Sequence, residues 1–498
     1  MGHVRSAAVL GAGTMGAQIA AHLANAGVPV LLLDLDAQTA AAGLQRARKL
    51  KPDPFFTPDA ARLITTGGFD ADLPRVAACD WIIEAIVERL DVKQALLAQV
   101  EPHRGADAAV SSNTSGIPIA DIAQGRSPEF RRHWLGTHFF NPPRYLQLLE
   151  IIPTADTDAG VVDRIARFAD RGLGKGVVVA RDTPGFIANR IGMYGAARTL
   201  ELLADGEFTV EEIDALTGPL IGRAKSATFR TMDIAGLDIL AHVAADLDRR
   251  LPGEAEHGAF RLPELVGALL DKGWIGEKAG QGFYRKERTP EGSRILTLDP
   301  ASLDYRPRQS PRLPAADAAG ASEDLAARIR ALLQDKGRAG AFTRATLGRT
   351  LVYAAETAPA IAHSTGDVDR AMRWGFGWEL GPFELWEAVG VETICEACQL
   401  PEPPAAVRDL DAVRRARGPE LRILRSARDE RPPVRRNAGA SLVDLGDGVL
   451  AVEFHSKMNA IGGDIVDMLQ AGVREAEQHF DALVVGNDAA AFSAGANL

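Results

Sequence analysis

"RSAAVLGAGTMGAQIAAHLANAGVPVLLLD", Arg5 to Asp34, is the stretch from which the fold can be read. A short apolar run ends in a glycine turn, an amphipathic helix follows and stops at Gly27, and a second apolar run closes at Asp34. Strand, turn, helix and strand in about thirty residues make a βαβ unit, whose crossover is right-handed and whose strands are parallel. Further strands at "DWIIEAI" and "AAVSSN", separated by the helix "LDVKQALLAQV", extend the unit into a doubly wound sheet.

The glycine spacing carries chemistry as well. Gly11 permits a tight turn, Gly13 lets the backbone approach a pyrophosphate, and Gly16 allows the helix to pack on the strand. The backbone from Gly11 through Ala12, Gly13, Thr14 and Met15 to Gly16 then presents a helix amino terminus to the phosphates. Asp34, at the end of the next strand, can take both ribose hydroxyls and would repel a 2′-phosphate, so NAD is expected rather than NADP. The fold class is therefore α/β, a Rossmann-type doubly wound parallel sheet.

At 498 residues the chain has room for two to four domains. A formal charge of −10 spread along the sequence argues against a nucleic-acid footprint. No apolar run approaches the roughly eighteen residues a membrane-spanning helix needs, and the amino terminus lacks a signal peptide pattern, so a cytoplasmic protein without membrane insertion is expected. Cys395 and Cys398 lack the second ligand pair of a zinc site; no metal is expected.

From Asp182 onward helical periodicity takes over. "PGFIANRIGMYGAARTLELLADG" has proline in its first turn and ends at Gly206. The carboxyl half repeats itself: Phe229, Asp233 and Gly236 recur as Phe383, Glu387 and Gly390 at identical spacing, as in a duplicated helical domain. The expected organisation is a nucleotide-binding domain over 1–182, helical copies over 183–286 and 323–400, proline- and arginine-rich linkers over 287–322 and 401–438, and an α/β segment over 439–498. That last segment reads as part of a domain, and from about Ser441 it is expected to be poorly packed or prone to associate.

In "GTHFFNPPRYLQLLEI", Gly136 to Ile151, an imidazole and a carboxylate stand at the two ends of an apolar, proline-broken run. Histidine is neutral near pH 7 and can take the hydroxyl proton of an alcohol as a hydride leaves, and a carboxylate would fix its tautomer. If "NPPR" turns the chain back, His138 and Glu150 pair across neighbouring strands. Spacing alone leaves this open beside the simpler reading of a core histidine.

"GAGTMG…LLLD", "EAIVERLDVK", "SSNTSGIPI", "GTHFFNPPRYLQLLEI", "DTPGFIANR" and "GEKAGQGFY" occur in that order, and over about residues 5 to 400 the chain resembles the L-3-hydroxyacyl-coenzyme A dehydrogenases of fatty-acid β-oxidation. The tail resembles the start of a crotonase (enoyl-CoA hydratase) domain. The resemblance implies His138 as catalytic base, Glu150 as its partner, Ser115 as the serine holding the substrate oxygen near the nicotinamide, and Asn189 as the asparagine completing the site. It also implies NAD contacts from Glu88, Lys93, Ser115, Asn141 and Lys278. The lysine-rich arm of shorter members is replaced by "KLKPDPFFTPDAARLITTGG", which leaves Arg48, Lys49 and Lys51 as undecided candidates for coenzyme A contact.

The function expected is oxidation of an L-3-hydroxyacyl-CoA to the 3-oxo thioester with NAD. The alternatives are another hydroxy-acid dehydrogenase on the same scaffold and a non-catalytic NAD-binding scaffold. Implied partners are an acyl-CoA substrate and a thiolase, in a monomer or homodimer, with no nucleic acid. Hydratase activity is not expected, because the loop "FSAGANL" would supply only one oxyanion donor, at Ala496.

Overall fold

The computed structural model describes residues 4–251, 253, 258–289, 292–409, 427–428, 431–487, 489 and 491–496. The chain divides into two compact units, Met1–Arg417 and Gly418–Leu498.

In the first unit, β1 (Ala7–Leu10), the helix α1 (Thr14–Asn25) and β2 (Val30–Asp34) form the βαβ unit, with Ala7 opposite Val30 and Leu10 opposite Leu33 in parallel register. Two glycines are required sterically. Gly11 holds φ +104°, and a Cβ there would come within 2.6 Å of the Ala85 carbonyl oxygen; a Cβ at Gly16 would collide with the Gly11 carbonyl. The sheet continues with β3 (Ile64–Gly68), β4 (Trp81–Glu84), β5 (Ala109–Ser112), β6 (Trp134–Phe139), β7 (Leu148–Pro153) and β8 (Gly176–Val179), in the order β3-β2-β1-β4-β5-β6-β7-β8. It is parallel except where β6 meets β7, because the short link between those strands cannot accommodate a parallel crossover. Between β4 and β5 runs α2 (Leu90–Val100).

Helices dominate after β8. The long helix α3 (Ala188–Ala204) leads the first copy, which also contains α4 (Leu237–Arg250). The repeat has a physical signature. In the first copy Asp214 accepts hydrogen bonds from the backbone N–H groups of Thr228 and Phe229, and in the second Asp369 does the same for Phe383 and Glu384. Each carboxylate caps a helix start some fifteen residues downstream. The second copy includes α5 (Arg349–Ile361), α6 (Thr365–Phe376) and α7 (Pro382–Val389), and the Trp386 indole of α7 donates to the Leu351 carbonyl of α5.

The expected linker over 287–322 is corrected. Residues there contribute to an antiparallel sheet, β9 (Tyr284–Thr289), β10 (Gly292–Asp299) and β11 (Asp304–Pro307), followed by the helix Pro314–Gly320. Leu296 and Leu298 are buried and the Tyr305 hydroxyl donates to the Gly282 carbonyl, so the sheet is fastened to the first copy. Of the second expected linker, 410–426 and 429–430 lie outside the described residues; Val407, before them, is buried.

The second unit contains β12 (Arg435–Arg436), β13 (Ala440–Gly446), β14 (Val449–Phe454), the helix α8 (Gly463–His479) and β15 (Ala482–Gly486). Its sheet order is β12-β13-β14-β15, with β14 and β15 parallel. The expectation of poor packing from Ser441 is corrected in part. Leu442, Leu450, Val452 and Phe454 make a buried cluster with Ile465 and Met468 of α8, because alternate residues of two adjacent strands face one helix. Val484 and Val485 of β15 stay exposed. Among the described residues no helix is long and apolar enough to cross a membrane.

Candidate active site

The carboxyl ends of β1, β4 and β5 open onto a cleft of about 790 Å³. Gly11, Gly13, Thr14 and Met15 line one side, Glu88, Asn113 and Ser115 another, and Ile239, His242 and Asp246 of α4 face them. A ligand there would sit at the outer ends of the parallel strands, as open α/β sheets arrange it. Among the described residues no side chain caps the amino terminus of α1, and a Cβ at Gly13 would meet none of their atoms within 4 Å. The space before that turn is therefore open to a phosphate. Asp34 accepts a hydrogen bond from the Ala12 N–H at 2.7 Å and also lines the cleft. The carboxylate is thus held beside the turn, where a ribose next to the pyrophosphate would lie.

Below the cleft is a buried charge cluster that the sequence reading did not assemble. Glu84, fully buried at the end of β4, accepts from Lys93 at 2.7 Å, from the Ile86 N–H at 2.8 Å and from the Ser112 hydroxyl at 2.5 Å. Lys93 also pairs with Glu88 at 3.2 Å. Burial pushes the Glu88 carboxyl upward, but Lys93 and hydrogen bonds from the Thr114 hydroxyl and Ser115 N–H hold it below its ordinary range. Glu88 therefore faces the cleft as an anion and positions Ser115. Lys93, expected against the cofactor, has its ammonium turned to the two carboxylates instead.

His138 and Glu150 are directly opposed across β6 and β7. The His138 Nδ1 lies 2.7 Å from Glu150 Oε2, with both side chains buried. The other carboxylate oxygen, Oε1, accepts the backbone N–H groups of Ile187 at 3.1 Å and Ala188 at 2.9 Å, where α3 begins. One carboxylate thus ties the imidazole to the helix whose next residue is Asn189. Phe186, at φ +48°, and Phe140 lay their rings 5.6 and 4.5 Å from the imidazole, closing it on two sides. Asn113 reaches from the end of β5 to accept the Phe139 N–H at 2.9 Å.

Other expected residues lie farther out. Asn141 accepts from Gln18 of α1 at 2.9 Å, and Lys278 pairs with Asp238 at 2.7 Å on the surface. Arg48, Lys49 and Lys51 are exposed. Residues that the sequence reading missed include Glu84, Gln18, Asn113 and Lys175. The Lys175 ammonium donates to the carbonyls of Pro143 and Leu146 in the β6–β7 turn, and burial brings it down to about 8. A charge at the end of the apolar "WIIE" was the one available signal for Glu84.

Residues 6–183 match the 3-hydroxyacyl-CoA dehydrogenase NAD-binding domain, and residues 185–286 match the C-terminal domain of the same enzymes. A Bacillus subtilis protein named as a probable 3-hydroxyacyl-CoA dehydrogenase is 43% identical over all of this chain and 68% of its own length. The chain belongs to the 3-hydroxyacyl-CoA dehydrogenase family. The amino-terminal cleft is accordingly that of an NAD-binding domain. A Rickettsia felis relative, named as a fatty acid oxidation complex trifunctional enzyme, is 29% identical over 99% of this chain and 69% of its own. The 3-hydroxybutyryl-CoA dehydrogenase of Escherichia coli K12 shares the fold, with a TM-score of 0.59 at 22% identity over 83% of this chain and 98% of its own. Residues beyond 286, including the second helical copy, lie outside both matched domains of the dehydrogenase family.

Proposed function

We propose that the protein oxidises the 3-hydroxyl of an L-3-hydroxyacyl-CoA to the 3-oxo thioester in fatty-acid β-oxidation, a reading supported by the R. felis relative named as a fatty acid oxidation complex enzyme. The observation that carries this reading is the His138–Glu150 pair anchored at the start of α3. With Nδ1 committed to Glu150, the ring nitrogen Nε2 is left to accept the substrate hydroxyl proton, and the buried carboxylate supplies the countercharge of the imidazolium that forms. Bound in the cleft, NAD supplies the hydride acceptor.

Placement supports the remaining roles that the resemblance implies. Ser115, held through its N–H by Glu88, offers its hydroxyl to the substrate oxygen from the cleft wall. Asn189, directly after the anchored start of α3, offers an amide from the helical side. Asp34 discriminates against a 2′-phosphate by charge. The test is reduction of acetoacetyl-CoA by NADH, followed by the near-ultraviolet absorbance of the reduced nicotinamide. Turnover that is lost in His138→Gln supports the reading. Absence of turnover by the wild-type chain, or full turnover by His138→Gln, overturns it.

A further inference from the structure

The second helical copy reaches the proposed site. At the end of α6 the residues Trp374, Gly375 and Phe376 pack on the elements that carry His138, Glu150 and Asn189. The Trp374 ring lies so close over Gly176, at the start of β8, that a Cβ there would collide with it. The Phe376 ring lies equally close over Gly192, one turn after Asn189 in α3. A Cβ at Gly375 would come within 2.7 Å of a Leu148 methyl, so the glycine lets the helix pack closely on β7. A backbone bridge between Ala180 and Ala362, at the ends of β8 and α5, fixes the same contact. Two aromatic rings seated on two glycines define this position closely.

Phe376 also connects to the imidazole. Its ring meets Phe140 edge-on at 6.4 Å, and Phe140 in turn lies 4.5 Å from His138. Yet Phe376 remains 37% exposed, although two of its sides are occupied. A large apolar ring left partly exposed, two ring-to-ring steps from the proposed base, suits a saturated hydrocarbon chain. Resting on the function proposed above, we infer that Phe376 is a specificity-determining residue that receives the acyl chain beyond its first few carbons. A four-carbon substrate, with a single carbon past C3, does not extend two rings from the imidazole; a sixteen-carbon chain does.

The experiment compares kcat/KM for four-carbon and sixteen-carbon 3-hydroxyacyl-CoA in the full chain and in Phe376→Ala and Phe376→Leu. Removing the exposed part of the phenylalanine ring lowers the long-to-short ratio roughly three- to tenfold in the alanine variant, through KM of the long substrate, with leucine intermediate. A ratio that does not move in either variant overturns the inference, including the case where both substrates slow alike, which marks Phe376 as packing only. Wild-type chain inactive on both substrates would instead defeat the underlying functional reading.

Discussion

Replacing Glu150 by glutamine tests the site at its junction. The carboxylate accepts three N–H groups: His138 Nδ1–H on Oε2, and the Ile187 and Ala188 backbone N–H groups on Oε1. Glutamine brings one oxygen and one NH2, so it must choose. With its oxygen toward His138, the NH2 confronts two buried backbone donors, each costing roughly 1–3 kcal/mol when left unsatisfied. With its oxygen toward α3, the NH2 faces Nδ1, which can answer by giving up its proton and accepting. The second arrangement costs less, and it moves the ring proton to Nε2, the atom required as base. Turnover should therefore fall about 10²–10⁴-fold, the range for a lost or wrongly tautomerised base. Stability should fall by only about 1–2 kcal/mol, for the charge lost at a helix start. Steady-state kinetics, urea unfolding and nitrogen NMR of the His138 ring measure the three terms separately. NAD affinity should hold, because the glycine turn rests on β1 and α1. Turnover within about threefold of wild type, with Nε2 protonated, would refute the assignment of His138 as base.

Three further outcomes are expected. Asp34→Ala should erode the preference for NAD over NADP in the kcat/KM of the two cofactors, because it removes the carboxylate beside the turn; a wild type that uses both equally would contradict this. Lys93→Met leaves Glu84 buried without its cation and should cost about 3–5 kcal/mol in denaturant unfolding, against well under 1 kcal/mol for a solvated lysine. Asp214 and Asp233 are pushed up to about 6 by burial, above their unfolded values, so their folded forms hold protons that the unfolded chain has released. Their contribution is complete below about pH 4 and is lost as pH rises to about 6; stability of Asp214→Asn relative to wild type should therefore improve across that window, and a constant difference would count against it.

What could be read from the sequence, and what could not, follows from the range over which each constraint acts. Gly11 and Gly16 satisfy steric demands within one turn of chain, so their spacing announces the βαβ unit unaided. The pairing of His138 with Glu150 was legible only in part: the link is too short for a crossover and so allows antiparallel neighbours, but spacing left a core histidine equally open until the register of β6 and β7 set the two opposite each other. β3 was not legible: "ITTGG" has the composition of a turn and becomes a strand only because β2 offers it an edge. β9 carries Arg285, Lys286, Glu287 and Arg288, and β10 has just two buried leucines, Leu296 and Leu298, so composition resembled a linker until Gly282 and Asp233 supplied partners from the helical copy. Lys93 shows the same limit, because the resemblance that set it against the cofactor carries no sign of the two carboxylates that its ammonium meets. Phe376 is the extreme case. Its partners Gly192 and Phe140 stand in a different helical copy and a different domain. Local pattern therefore reveals the glycine turn and sets an imidazole and a carboxylate in one run, whereas contacts such as those of Phe376 arise only where segments far apart in the sequence meet.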